Sequence, residues 1–338
     1  MIKSKTRVAI NGFGRIGRCT FRAWLDGQHS DIEIVAINDL ADPETAGFLL
    51  EFDSVHGRLN HSPEIHNGEM RVANKTVVMT SERDPGKLPW KKLDVDLVME
   101  CSGVFTSADK AKAHLDAGAK RVLVSAPSTG ADKTVVYGIN HQTITSQDRV
   151  ISNASCTTNC LAPIAATLSN ICGIEQGFMT TIHSYTGDQP TLDTDHSDLY
   201  RARAAAMNMI PTSTGAARAV GLVLPELAGK LDGVAVRVPT PNVSAVDLTF
   251  MPERSVTVDD INAAFVAAEN SQLGGVLATT DKKLVSSDMN HHSASSIAHL
   301  DQTRVMADGM TRVFAWYDNE WGFSNRMLDV ADAMGQAA

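Results

Sequence analysis

At 338 residues the chain exceeds one average domain and is comfortable as two. Its 43% hydrophobic and 20% charged residues exclude a disordered chain, and no stretch nears the roughly 20 apolar residues of a membrane span. A net charge of −9 disfavours broad affinity for nucleic acid while leaving room for local phosphate sites.

The start, Met1-Ile-Lys-Ser-Lys-Thr-Arg7, runs into an apolar strand pattern without the features of a secretory leader, so a cytoplasmic protein is expected. Arg7-Val-Ala-Ile-Asn11 reads as a strand, Gly12-Phe-Gly14-Arg-Ile-Gly17 as a glycine turn, and Arg18 to Leu25 as a helix. In such a turn the first glycine permits the bend and the second lets backbone approach a pyrophosphate. The third allows helix and strand to pack closely. A second strand, Ile32 to Ile37, ends in Asn38-Asp39. Asp39 follows Gly17 by 22 residues, near the spacing of a ribose-binding carboxylate. That acid accepts from a 2′-hydroxyl and repels a 2′-phosphate, which favours NAD over NADP. A solvated loop acid or a helix cap is the competing reading.

Strand-like pieces follow at Arg71 to Ala73, Thr76 to Thr80, Val95 to Cys101, Arg121 to Ser125 and Thr134 to Tyr137. Helix-like Ala108 to Leu115 lies between two of them. Nearly continuous apolar strands alternating with helices imply a doubly wound, Rossmann-type parallel sheet in an α/β unit. The loops Ser102 to Thr106 and Ser125 to Ser128 then fall beside the cofactor, with packing turns as the alternative.

The pattern changes near residue 156. A helix is followed by strands Gly177 to Ser184, Gly233 to Val238 and Val243 to Met251, pointing to an α+β unit with a mixed or antiparallel sheet. Thr257 caps a helix, Arg304 to Trp316 reads as a hairpin, and a last helix begins near Ser324. The segment from Ser184 to Ile210 is too long for an idle connector and shapes a substrate site or an interface.

Five cysteines, an odd number and mostly in apolar segments, are no disulfide framework. Cys156 and Cys160 lack the further pair or neighbouring histidine of a zinc site, so no metal is expected. Cys156 lies in Ser152-Asn-Ala-Ser-Cys-Thr-Thr-Asn-Cys160, where Ser155 and Thr157 suit the N-cap and first turn of a helix. A free thiol is only about 3% thiolate at pH 7, and a helix N-terminus favours the anion. A packed, inert cysteine is the competing reading. His183, at a strand end, is positioned in sequence to accept the Cys156 proton or to pair with its thiolate; alone it reads equally as a structural histidine. With a dinucleotide unit, the combination implies aldehyde oxidation through a cysteine thioester, which water or phosphate then takes. Arg237, Thr186 and Pro211-Thr-Ser-Thr-Gly215 are candidate anion holders, each of which is singly explicable as a salt bridge or turn residue.

The chain resembles the phosphorylating glyceraldehyde-3-phosphate dehydrogenase family nearly end to end. Asn11 to Arg18, Phe52 to Gly57, Ser152 to Cys160, His183 to Gln189, Pro211 to Ala217, Arg237 to Val243 and Trp316 to Gly322 carry the likeness. The resemblance implies Cys156 as nucleophile and His183 as general base. Arg15, Ile16, Asp39, Arg83 and Ser125 are implied to contact NAD, with Asn319 on the carboxamide. Thr186 and Arg237 are implied for the substrate phosphate, and Ser155, Thr157, Thr214 and Gly215 for inorganic phosphate or substrate oxygens, joined by Arg201. It further implies a glycolytic homotetramer acting on glyceraldehyde 3-phosphate with inorganic phosphate. The C-terminal helix is expected to return to the first domain, giving a NAD-binding domain of 1–155 and 320–338 and a catalytic domain of 156–319. NAD-preferring relatives often carry Leu-Pro where this chain has Thr194-Asp195, although Asp195 remains a poor partner for a 2′-phosphate. Alternatives are a sister activity on erythrose 4-phosphate, disfavoured because Thr186 is retained, and a non-catalytic dinucleotide-binding regulatory or interaction protein.

Overall fold

The computed structural model describes residues 5–337. Met1 to Ser4 and Ala338, which the expected domain ranges and the leader reading include, lie outside the described residues. The chain divides into two units: 1–135 with 141–154 and 324–338, and 136–140 with 155–323.

The first unit is built on a nine-stranded, mostly parallel sheet. Thr6–Asn11 lies at its centre, with Ile32–Asn38 parallel on one side and Leu97–Glu100 parallel on the other. Successive strands leave in opposite directions from that point, so the carboxyl ends of these strands open a crevice. Val8, Ile10, Ile37, Val98 and Leu123 are fully buried, as expected for strands covered on both faces. Beyond Lys75–Thr80 the sheet turns antiparallel through Glu69–Val72 and Glu64–His66. The turn Asn67-Gly68 sets that register, with φ of 51° and 77°. The expected helix after Ser107 is broken at Lys112 into Ala108–Ala111 and Ala113–Asp116, and the strand expected over residues 134–137 is only Lys133–Thr134.

In the second unit, Gln176–Ser184 runs parallel to Leu231–Val238 and antiparallel to Ser244–Met251, so its eight-stranded sheet is mixed. Helix Cys156–Cys172 packs on this sheet with twelve buried residues. Thr257 and Asp260 form a reciprocal cap at the start of Val258–Glu269. The last helix spans Trp321–Gln336, starting before Ser324, because the Asp318 carboxylate accepts the N–H groups of Glu320 and Trp321 at 2.9 and 2.7 Å. Among the described residues no helix is long and apolar enough to cross a membrane.

Candidate active site

The crevice of the first unit is a cleft of about 300 Å³ lined by Gly12, Gly14, Asp39, Arg83 and Ser102, among others. Gly12 has φ +91°, and a Cβ there would stand 2.5 Å from the Ser102 Cα. Gly14 differs: a Cβ on it would meet nothing within 4 Å, so its backbone is open to a ligand. Asp39 closes the turn by accepting the Phe13 N–H at 2.5 Å through one oxygen and the Ala41 N–H at 2.8 Å through the other. Arg15 and Ile16 begin helix Arg15–Leu25, with Arg15 Nη1 2.5 Å from Asp53 Oδ2. Burial would raise the Asp53 pKa, but the Arg15 hydrogen bond and the N–H groups of His56 and Val55 hold it at about 2. Ser125 stands one strand away, its N–H on the Glu100 carbonyl at 3.0 Å, and does not line the cleft.

In the second unit Ser155 caps helix Cys156–Cys172, its Oγ accepting from Thr158 N–H at 3.1 Å. Cys156 therefore opens the helix. Its Sγ lies 3.5 Å from His183 Nε2. His183 Nδ1 is 2.7 Å from the Ser184 carbonyl, a contact that requires the proton on Nδ1 and leaves a lone pair on Nε2. Arg237 Nη1 is 3.1 Å from Nδ1, but it donates to Ser184 O and Thr186 Oγ1, so toward the imidazole it is a repelling cation. Burial first, and then the Arg237 charge, press the His183 pKa down to about 3. Burial raises the Cys156 thiol, and Arg237 and the Thr157 hydroxyl and N–H lower it only in part. The expected effect of the helix start is thus outweighed by desolvation. Both shifts favour the thiol and the neutral imidazole over the ion pair.

The parallel register His183↔Arg237 explains why two residues 54 apart in sequence meet. Arg237 Nε is buried without a partner. Asp188 accepts from Thr186 Oγ1 and, at 3.1 Å, from Arg201 Nη1, so it joins the two arginines to one hydroxyl. Arg201 Nε also donates to Thr212 Oγ1 at 3.1 Å. Thr214 and Gly215 start helix Ala216–Val223, with Thr214 Oγ1 accepting from Ala216 N–H. The Thr157 hydroxyl is 2.8 Å from Tyr317 OH, which also reaches Thr181 at 2.9 Å. Thr157 thus serves the buried frame. The Tyr317 ring packs edge-on against His183 at 5.9 Å, fixing the imidazole plane. Asn319 Oδ1 accepts from Ser184 and Ser244, each at 2.9 Å, leaving its N–H groups as its donors. Asp188 and Tyr317 were missed as site residues by sequence reasoning, whereas Thr212 lies in the run Pro211 to Gly215 already read as a candidate anion holder. Asp188 lies within the quoted His183 to Gln189 run, but its pairing with Arg201 is a tertiary fact.

Fold and site define the class: an NAD-dependent oxidoreductase whose second unit carries a histidine-paired cysteine. Residues 6–108 match the family model described as the NAD binding domain of glyceraldehyde 3-phosphate dehydrogenase, and residues 155–319 match its C-terminal domain. Proteins named glyceraldehyde-3-phosphate dehydrogenase from Xanthobacter flavus and Cereibacter sphaeroides are each 61% identical over 330 residues, 98% of both chains. One from Zymomonas mobilis is 54% identical over 332 residues, again 98% of each. The chain belongs to the glyceraldehyde 3-phosphate dehydrogenase family.

Proposed function

We propose that this chain converts D-glyceraldehyde 3-phosphate, NAD and inorganic phosphate to 1,3-bisphosphoglycerate. The observation that carries the reading is the Cys156 Sγ at 3.5 Å from an unprotonated His183 Nε2, with Arg237 behind it. His183 takes the thiol proton as Sγ adds to the aldehyde carbon and passes it to the former carbonyl oxygen, giving a hemithioacetal and a neutral imidazole. When bound, NAD supplies the hydride acceptor. His183 holds the hydroxyl proton released as the hemithioacetal becomes a thioester. Inorganic phosphate attacks that thioester carbon, its oxygen forming the new acyl bond, and the C–S bond breaks to return Cys156.

Arg237, with its unpartnered buried Nε, and Thr186 suit the substrate phosphate; Arg201, Ser155, Thr157, Thr214 and Gly215 are assigned to inorganic phosphate or substrate oxygens. For Ser155 and Thr157, whose hydroxyls are engaged in the cap and by Tyr317, that role falls to the first-turn backbone. Arg15, Ile16, Asp39, Arg83 and Ser125 are assigned to NAD, and Asn319, through its N–H groups, to the carboxamide. The NAD-binding domain is then 1–155 with 320–338, and the catalytic domain 156–319. We assign this chemistry to glycolysis, in the cytoplasm. Homotetramer assembly is supported by the large apolar side chains exposed on the second unit, among them Leu199, Met207 and Met209, all three more than three-quarters exposed.

The test is NADH formation with glyceraldehyde 3-phosphate, with and without inorganic phosphate, by the wild type and Cys156→Ser. The expected result is phosphate-dependent turnover that the variant loses while still binding NAD. Unaffected turnover in the variant, or a higher kcat/KM with erythrose 4-phosphate, overturns the assignment.

A further inference from the structure

Beneath the coenzyme cleft lies a carboxylate that the proposed chemistry does not use. Glu100 ends the strand Leu97–Glu100 and is 1% exposed. Every group that touches its oxygens is a donor. Asn11 Nδ2 stands 2.6 Å from Oε2, His114 Nε2 2.9 Å from the same oxygen, and the Ser102 N–H 2.8 Å from Oε1, which the Ser102 hydroxyl also meets. The donor role of His114 follows from Trp90, whose Nε1–H, a donor only, is 3.0 Å from Nδ1 and so fixes the proton on Nε2.

The polarity continues away from the carboxylate. Asn11, having turned its Nδ2 to Glu100, offers Oδ1 to Asn38 Nδ2 at 2.8 Å. Asn38 in turn offers Oδ1 to Thr80 Oγ1 and to the Glu82 N–H, at 2.9 and 2.8 Å. A single acceptor-only group therefore sets the direction of a chain across the ends of Thr6–Asn11, Ile32–Asn38 and Lys75–Thr80. The residues next in line are Gly12, Asp39 and the Glu82-Arg83 turn, all of which line the cleft. Ser102 Oγ also accepts the Val104 N–H at 3.1 Å, so the same carboxylate holds the loop that closes over Gly12.

We infer that Glu100 is a positioning residue for the coenzyme: its buried charge locks the glycine turn, the Asp39 loop and the Ser102 loop into one arrangement that receives NAD. The ordering cost of these segments is met on folding and not on binding, the general route by which a preformed site gains affinity. A neutral isostere replaces one acceptor with a donor facing donors, so the chain must reverse or break. The inference rests on the cleft being the NAD site.

The experiment is NAD binding by titration calorimetry and steady-state kinetics on the full-length wild type, Glu100→Gln and Ser102→Ala, with thermal unfolding alongside. For Glu100→Gln the dissociation constant and KM for NAD are expected to rise by about tenfold or more, the size of a lost charge-assisted hydrogen bond. At saturating NAD, kcat and the KM for the aldehyde are expected to stay within about twofold of wild type, since no residue of the second unit is altered. Binding of NAD within twofold of wild type overturns the inference. So does a loss spread evenly over kcat, both KM values and the melting temperature, which marks a merely structural role. If Glu100→Gln does not fold, Ser102→Ala decides: weakened NAD binding with unchanged kcat supports the inference, and wild-type binding overturns it. A wild type that fails to bind NAD overturns the cofactor reading instead.

Discussion

His183 Nε2 faces Cys156 Sγ at 3.5 Å with its lone pair, because the Nδ1 proton is committed to the Ser184 carbonyl at 2.7 Å. Burial raises the thiol, and burial with the Arg237 charge lowers the imidazole, so both shifts oppose an ion pair. Alkylation of the unliganded protein by iodoacetamide is therefore expected to accelerate with pH through the alkaline range, with no thiolate plateau below about pH 7. A plateau in mildly acidic solution, equal to the alkaline rate, would reveal a resting thiolate–imidazolium pair and contradict this geometry. His183→Asn is expected to lower kcat by about 10²–10⁴-fold, the usual range for removal of a general base.

The same histidine ties stability to pH. Its folded pKa of about 3 lies below the ordinary 6.5, so between these values the unfolded chain binds the proton more readily. The stability it contributes is present above pH 6.5 and is lost as pH falls toward 3. The slope from this one group approaches about 1.4 kcal/mol per pH unit inside that window. Denaturant melts of wild type and His183→Asn at stepped pH are expected to show a shallower decline for the variant between pH 6.5 and 4. Parallel curves would remove His183 from the acid response.

Coenzyme choice is expected to reside in Asp39. Its two oxygens hold the Phe13 and Ala41 N–H groups, which fixes the carboxylate at the mouth of the glycine turn. In the proposed NAD role it is expected there to disfavour a 2′-phosphate by charge and to attract a 2′-hydroxyl. Asp39→Asn keeps one acceptor and removes the charge, so the ratio of kcat/KM for NADP to that for NAD is expected to rise by about tenfold or more. An unchanged ratio would move the selectivity elsewhere, with the exposed Asp195 next in line.

The features legible in the sequence are those written by local rules. The glycine turn, the Ser155 cap that places Cys156 first in its helix, and the Thr257 cap all depend on neighbours within a few residues. Asn67-Gly68 carried a hairpin signal of the same kind that went unused, and with it the antiparallel edge of the first sheet. Asp42 before Pro43 likewise marked a missed helix, Pro43–Glu51, whose N-cap accepts the Thr45 N–H. What sequence alone could not supply is register. Arg237 meets His183 because two parallel strands align them, and Glu100 meets Asn11 because their strands end together. The sign of the Cys156 shift was also out of reach, since burial, which decides it, is a property of the packed unit.

Two glycines of the turn are expected to fail in different ways. A Cβ on Gly17 would stand 2.2 Å from the Gly12 carbonyl oxygen and 3.3 Å from Ile10 Cγ2. The first of these is backbone and cannot yield without opening the turn, so Gly17→Ala is expected to destabilise the fold by about 1–3 kcal/mol, the usual cost of overpacking. Gly14 has no atom within 4 Å of its Cβ direction and a φ of −72° that alanine adopts freely. Gly14→Ala should therefore fold as well as wild type, or slightly better because the unfolded chain loses freedom. If the proposed NAD site is occupied as assigned, its methyl group enters the open space expected to receive the pyrophosphate, and NAD affinity is expected to fall by about tenfold or more. Denaturant unfolding and NAD titration on the two variants separate these outcomes. A destabilised Gly14→Ala, or a Gly17→Ala that keeps wild-type stability, would show that the turn is not held as the geometry requires.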